Sequence, residues 1–161
     1  MPEEDVQMKL LYLLQFKEME DRHERIVEAC EKTFQWIFED AGSQSLEESW
    51  ENYWEGVPDE SPKDAQWISF TQWLASNSSL YWITGKAGSG KSTLIKYIAK
   101  DERTLKNLKG WTPGGTIITA SYFFWNSGTS MQMSQQGLLQ SLLFQILSSY
   151  PALTRNLFPE R

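Results

Sequence analysis

The stretch Gly85-Lys86-Ala87-Gly88-Ser89-Gly90-Lys91-Ser92, followed by Thr93, decides the fold of this 161-residue chain. It matches the Walker A pattern G-x-x-x-x-G-K-[ST], in which glycines let the backbone curl so that its N–H groups point at a phosphate. We predict that residues 85–93 bind a nucleoside triphosphate, that Lys91 reaches the β- and γ-phosphates, and that the Ser92 hydroxyl coordinates Mg²⁺. The alternative is a tight turn between a strand and a helix. Lys86 either adds charge to the site or is only solvated, and Thr93 either contacts the ligand or only begins the helix.

The segments on either side of the loop have the pattern that a P-loop needs. Leu80 to Thr84 is aromatic and β-branched, as in a buried strand, and Ser92 to Lys100 has apolar residues at helical spacing. Thr116 to Trp125 is apolar nearly throughout and predicts a second strand covered on both faces. Thr104 to Gly115 is basic and punctuated by Gly and Pro, which indicates a connection. The fold class that follows is α/β: an incomplete P-loop NTPase, with a parallel sheet and flanking helices, preceded by an N-terminal helical segment.

Four further helices are predicted from apolar spacing and capping residues. They run from Asp5 to Phe16, from Ile26 to Ile37, from a Ser61 cap to about Asn77, and from a Ser134 cap to Pro151. The second of these places Phe34 and Ile37 on a core. The leucine-rich face of the last is expected to be core, with partner docking as the alternative.

The chain divides into three predicted parts: residues 1–38 as an N-terminal helical segment, 39–60 as an acidic linker or insertion, and 61–161 as the N-terminal portion of the P-loop domain. The middle part contains eight Asp or Glu residues and no Lys or Arg, which is typical of a solvated surface. The alternative is that its aromatic residues Trp50, Tyr53 and Trp54 form a short docking turn.

Composition narrows the classes of function. A net charge of −6 argues against a broad nucleic-acid or membrane surface. Cys30 is the only cysteine, so an intrachain disulfide is impossible, and we expect it to pack as a small apolar residue. The acidic N-terminus lacks the features of a signal peptide, and we predict a cytoplasmic protein. His23 is expected on the surface, and the basic run Lys100, Arg103, Lys106 and Lys109 in a solvated loop, with a phosphate or nucleic-acid contact as the alternative for that run.

Hydrolysis by a P-loop enzyme generally needs an acid at the end of a second strand. Asn126 stands there instead, so no catalytic residue is assigned. Whether the chain is an enzyme is left open, and no residue pattern identifies the base of the nucleotide.

Several segments beyond the loop resemble the N-terminal part of fungal NACHT-domain proteins, which are NOD-like receptors and STAND-class signalling NTPases. The segments that carry the resemblance are Phe16-Lys17-Glu18-Met19, Arg22, Ile26, Thr33-Phe34-Gln35-Trp36-Ile37-Phe38, Trp82-Ile83-Thr84, Phe123-Phe124-Trp125-Asn126-Ser127-Gly128 and Gly137-Leu138-Leu139-Gln140-Ser141-Leu142-Leu143. Cys30 departs from the family pattern, which has a histidine there. The resemblance implies an ATP- or GTP-dependent switch that controls oligomerisation in fungal heterokaryon incompatibility. It also implies that this chain stops before the Walker B acid.

Three hypotheses follow. The first is a nucleotide-binding segment of a NACHT-type switch, in which ATP is favoured over GTP. The second is an active hydrolase that takes its acid from another chain or from a residue such as Asp101. The third is a non-enzymatic interaction module or truncated regulator, which associates with itself or with a full-length NACHT protein through the leucine face or the acidic, Trp-rich stretch.

Overall fold

The computed structural model describes residues 3–30, 32–39, 68–76 and 78–157. The regular secondary structure of these described residues is helical. In chain order they are α1 (Glu3–Leu14), α2 (Asp21–Arg25), a 3₁₀ helix (Gln35–Phe38), α3 (Phe70–Leu74), α4 (Lys91–Lys100), α5 (Glu102–Leu108), α6 (Ser130–Met133), α7 (Gln135–Ser149) and α8 (Ala152–Leu157).

The predicted α/β fold with a parallel sheet is wrong: the described residues contain no β-strand. Residues 80–84 and 116–125 run without regular secondary structure. In the first segment Tyr81 and Ile83 pack against the core, whereas Leu80 and Trp82 are exposed. No residue of the second segment is fully buried. A strand needs a neighbouring strand for its backbone hydrogen bonds, and apolar β-branched composition alone does not provide one.

A side chain takes the place of a neighbouring strand at Ser121. The Gln145 amide on α7 accepts a hydrogen bond from the Ser121 N–H at 3.0 Å and donates one to the Ser121 carbonyl at 2.9 Å. Both backbone groups are therefore satisfied without a sheet, as partly buried polar groups require. This pair of bonds attaches the second extended segment to α7.

The core lies between α3, α4 and the 3₁₀ helix. Its buried members are Ile37, Phe70, Leu74, Leu94 and Ile98. A second contact joins α1 to α7, where the Gln7 amide donates to the Leu147 carbonyl. The leucine face of α7 is thus largely internal, with Leu147 buried and Leu139 the exposed exception among its leucines.

One predicted helix differs from the structure, and another is described only in part. The helix over 26–37 is wrong: Lys32 has a φ of +70°, which a helix cannot contain, and among the described residues of this range only the 3₁₀ helix at its end is helical. Phe34 and Ile37 nevertheless pack on the core as predicted. Of the helix expected from Ser61 to about Asn77, both ends lie outside the described residues, and within them α3 has Ser69 as its N-cap. The Ser69 hydroxyl accepts from the Gln72 N–H and the Gln72 side chain accepts from the Ser69 N–H, so the two residues form a capping box.

The connection expected over 104–115 is helical in its first part, where α5 ends at Leu108, and Asp101 caps that helix by accepting a hydrogen bond from the Arg103 N–H at 2.9 Å. The basic residues predicted there in a solvated loop are in part ion-paired: Lys100 with Glu28 and Arg103 with Asp101. The helices predicted after the glycine-rich stretch and after the Ser134 cap are confirmed as α4 and α7. The acidic stretch 40–60, with the possible docking turn at Trp50, Tyr53 and Trp54, lies outside the described residues.

The buried side chain of Lys96, on α4, holds the N-terminal segment against that helix. The Lys96 side chain is 4% exposed, and its ammonium donates to the carbonyls of His23 at 2.9 Å and Ile26 at 2.8 Å. It also lies 3.0 Å from a carboxylate oxygen of Glu28. A cation at the end of α2 satisfies carbonyls that the helix leaves without partners and is favourable towards the helix dipole. The N-terminal segment and the helix that follows the glycine-rich loop therefore form one packed unit.

The Glu28 carboxylate gives this junction a dependence on pH. Hydrogen bonds from Lys100 and Lys96 lower its pKa from 4.5 to about 2. Because the pKa is lower in the folded chain than in the unfolded one, the stabilisation is complete above about pH 4.5 and is lost as the pH falls towards 2. We expect Glu28→Gln to lower the melting temperature at pH 7, and the difference from wild type to shrink between pH 4.5 and 2. Thermal melts of both proteins across this range check it, and a difference independent of pH would contradict it.

Candidate phosphate-binding loop

Residues 85–90 form a compact turn that leads directly into α4. The Ser89 N–H donates to the Lys86 carbonyl at 3.2 Å, closing the turn. Gly88 and Gly90 have φ angles of +78° and +81°, the left-handed region that side chains disfavour. A Cβ at Gly85 would lie 2.8 Å from the Ser89 hydroxyl oxygen. Gly88 and Gly90 thus allow this backbone path because they adopt left-handed φ angles, and Gly85 allows it because it leaves room for the Ser89 side chain.

The Lys91 side chain folds back over this turn. Its ammonium donates to the carbonyls of Gly85 at 2.8 Å and Lys86 at 2.6 Å, and lies 3.5 Å from the Ser89 hydroxyl. All of these contacts are exposed to solvent. Since hydrogen bonds to solvated carbonyls are weak in net terms, a stronger acceptor such as a phosphate oxygen can replace them.

The first turn of α4 presents backbone donors beside this ammonium. Gly90 is the N-cap residue, makes no side-chain cap, and accepts the first helical bond from the Leu94 N–H at 2.8 Å. The N–H groups of Lys91, Ser92 and Thr93 therefore have no acceptor within the helix. Such a helix start, with its positive dipole end, is suited to an anion.

The structure brings all nine sequence-predicted site residues together in one turn and one helix start. Ser92 and Thr93 are half-buried in the first turn of α4. One candidate group does not lie at the loop. Asp101, considered above as a source of catalytic acid, follows the far end of α4, about 15 Å from the start of that helix at 1.5 Å per residue. Its carboxylate is paired with Arg103, which lowers its pKa.

Phe34 is a neighbour of the loop that sequence reasoning placed only in the core. A Cβ at Gly90 would lie 3.6 Å from the tip of the Phe34 ring. The same ring lies 5.9 Å, centre to centre, from that of Tyr97 on α4. The 3₁₀ segment therefore packs against the end of the loop. Helical spacing indicated an inward-facing Phe34, and no sequence signal identified Gly90 as its neighbour.

Two minor site predictions are corrected. Cys30 is exposed and does not pack as an apolar residue. His23 is half-buried, with its ring 5.9 Å from that of Phe123, and is not a surface residue without partners. Among the described residues, no three His, Cys, Asp or Glu side chains converge as a metal site. No helix in that part of the chain is both long and apolar enough to cross a bilayer.

The described geometry is thus a glycine-rich turn that leads into the N-terminus of a helix. Comparison with known families then gives a more specific assignment. The family described as "Nephrocystin 3, N-terminal" matches residues 63–161, more than half of the chain, so the chain belongs to that family. The match includes the whole loop and excludes the N-terminal segment that packs against it. No curated protein and no solved structure matches the chain.

Proposed function

We propose that the chain binds a nucleoside triphosphate with Mg²⁺ through residues 85–93, as the nucleotide-binding part of a NACHT-type signalling switch. The observation that carries the proposal is that the Lys91 ammonium lies on the glycine-rich turn, which leads into a helix start whose first amides have no acceptor within the helix. The likeness to NACHT proteins in the segments around the loop supports the role as a switch, and ATP is favoured over GTP.

The residues present fit a polyphosphate chemically. In the ligand complex, Lys91 exchanges the carbonyls of Gly85 and Lys86 for phosphate oxygens, and the amides of the first turn donate to the same group. Glycine at 88 and 90 keeps the backbone close to the ligand, because a side chain would oppose the left-handed conformation. Opposite charge on ligand and lysine makes the affinity fall with added salt.

Mg²⁺ needs few ligands from the protein itself. It prefers oxygen ligands in an octahedral shell and usually keeps several waters. The Ser92 hydroxyl is the one protein ligand that we assign, and phosphate oxygens and water would complete the shell. When bound, the metal neutralises phosphate charge. Hydrolysis is not part of the proposal, because Asp101 lies at the other end of α4 and is engaged by Arg103.

Replacement of Lys91 tests the proposal. We expect Lys91→Ala to weaken binding of a fluorescent ATP analogue with Mg²⁺ roughly 10- to 100-fold, since a charge-assisted hydrogen bond contributes about 1.5–3 kcal/mol. Lys106→Ala is the matched control, because it removes the same charge from an exposed position on α5 and should leave the affinity within about twofold. Equal affinity of wild type and Lys91→Ala, with both variants folded, would refute the proposal.

A further inference from the structure

A small cavity lies between α2, the extended segment that ends at Trp125, and α7, apart from the glycine-rich loop. Its volume is about 20 Å³, and the lining includes Glu20, Arg22, His23, Tyr122, Ser141 and Gln145. These residues come from three separate parts of the chain, so whatever occupies the cavity joins all three.

Two buried polar atoms of this lining have no hydrogen-bond partner in the protein. Among the described residues, four buried side-chain nitrogen or oxygen atoms have no hydrogen-bond partner. Two of these atoms, the Ser141 hydroxyl oxygen and Arg22 Nε, belong to residues that line this cavity. Ser141 is 1% exposed. An unpaired buried polar group costs roughly 1–3 kcal/mol, so two of them beside one cavity indicate a shared partner.

Three other polar side chains of the lining are already engaged. The Gln145 amide is bonded to Ser121 through both of its ends. The Tyr122 hydroxyl donates to the Met131 carbonyl at 2.9 Å, and the Gln132 side chain bonds Thr129 and Glu18. The occupant must therefore accept from Arg22 Nε–H and exchange a hydrogen bond with the Ser141 hydroxyl.

Charge and size then define the chemical class. Arg22 and Glu20 carry opposite charges on the same lining, which favours a neutral dipolar molecule over an ion. A polar cavity of this size exceeds the roughly 10–15 Å³ that one water requires but leaves no room for a larger molecule. We propose that the cavity binds one ordered water molecule, which bridges Ser141 Oγ and Arg22 Nε.

This water would complete a connection that reaches the phosphate-binding helix. The His23 carbonyl, next in sequence to Arg22, accepts from Lys96 of α4. α2 is thus held by α4 through Lys96 and by α7 through the bridging water. The proposal is independent of nucleotide binding, because no residue of the glycine-rich loop lines the cavity.

The sign of one stability change tests the proposal. If water bridges the site, Ser141→Ala removes a partner of that water and leaves Arg22 Nε poorly satisfied, so the melting temperature of the full chain should fall by roughly 3 °C. If the Ser141 hydroxyl has no partner at all, its removal in Ser141→Ala should raise the melting temperature, because an unpaired buried polar group is lost and alanine is the better helix former. Ser148→Ala, exposed on the same helix, is the control for helix propensity.

A high-resolution crystal structure of the full chain gives an independent readout. Density for a water within hydrogen-bond distance of both Ser141 Oγ and Arg22 Nε is the expected result. An unchanged or raised melting temperature for Ser141→Ala relative to Ser148→Ala, or a cavity without such density, would overturn the proposal.

Discussion

Lys96→Met is expected to destabilise the folded chain by about 3 kcal/mol, since hydrogen bonds to a charged group contribute about 1.5–3 kcal/mol each and their loss leaves acceptors unsatisfied. The substitution keeps an unbranched apolar stem but removes the ammonium that donates to the carbonyls of His23 and Ile26. Ile26 is itself buried, so water cannot readily replace the lost donor. Urea unfolding followed by tryptophan fluorescence measures the change as a lower midpoint with an unchanged slope.

Lys100→Met is the matched control for Lys96→Met. Lys100 lies on the same helix as Lys96 and also pairs with Glu28, but its side chain is half-exposed. Removing an exposed ion pair costs about 0–1 kcal/mol, so the control should lose far less stability. Equal losses in the two variants would show that charge near Glu28, and not the buried carbonyls, is what Lys96 supplies.

The elements that sequence predicted correctly are those fixed by neighbouring residues. The glycine-rich turn, the helix that follows it and the Ser134 cap all depend on contacts within a few positions, as the bond from the Gly137 N–H to the Ser134 hydroxyl shows. Ser69 shows the same physics: its Ser-x-x-Gln capping box with Gln72 begins α3 through contacts between residues three positions apart.

The features that sequence missed depend on distant partners. Apolar composition predicted strands at 80–84 and 116–125, but a strand exists only where another strand supplies its hydrogen bonds, and at Ser121 a glutamine 24 residues away supplies them. No sequence pattern indicated that Lys96 is buried, and only the carbonyls of a segment 70 residues earlier make its burial tolerable. The contact of Phe34 with Gly90 is of the same kind.

The candidate site likewise combines local features, which the sequence predicts, with long-range contacts, which it does not. Its donors lie within nine consecutive residues, so the pattern alone placed them together. The packing that holds those donors in place comes from the 3₁₀ helix and from Lys96, both of which act across long separations in sequence. The family match covers the loop but not these N-terminal supports, and the structure is what joins the two.

Gly137→Ala is expected to destabilise the chain by about 3 kcal/mol, although alanine is the better helix former by roughly 1 kcal/mol. A Cβ at this position in α7 would overlap the Met131 carbonyl oxygen and lie 2.8 Å from the Met131 carbonyl carbon. That carbonyl oxygen accepts from the hydroxyls of Tyr122 and Ser134, so it cannot retreat without breaking the junction of α6 and α7.

Gln136→Ala, exposed in the same turn of α7, separates the steric effect of Gly137→Ala from the effect of helix propensity. It should leave stability unchanged or slightly raised, because it adds a good helix former and meets no neighbour. The urea midpoints of the two variants check this, together with circular dichroism at 222 nm to show that α7 still forms. If Gly137→Ala were as stable as Gln136→Ala, the backbone of α6 could move away from α7 at little cost, and the close packing of these two helices would not constrain the position of Tyr122 beside the cavity.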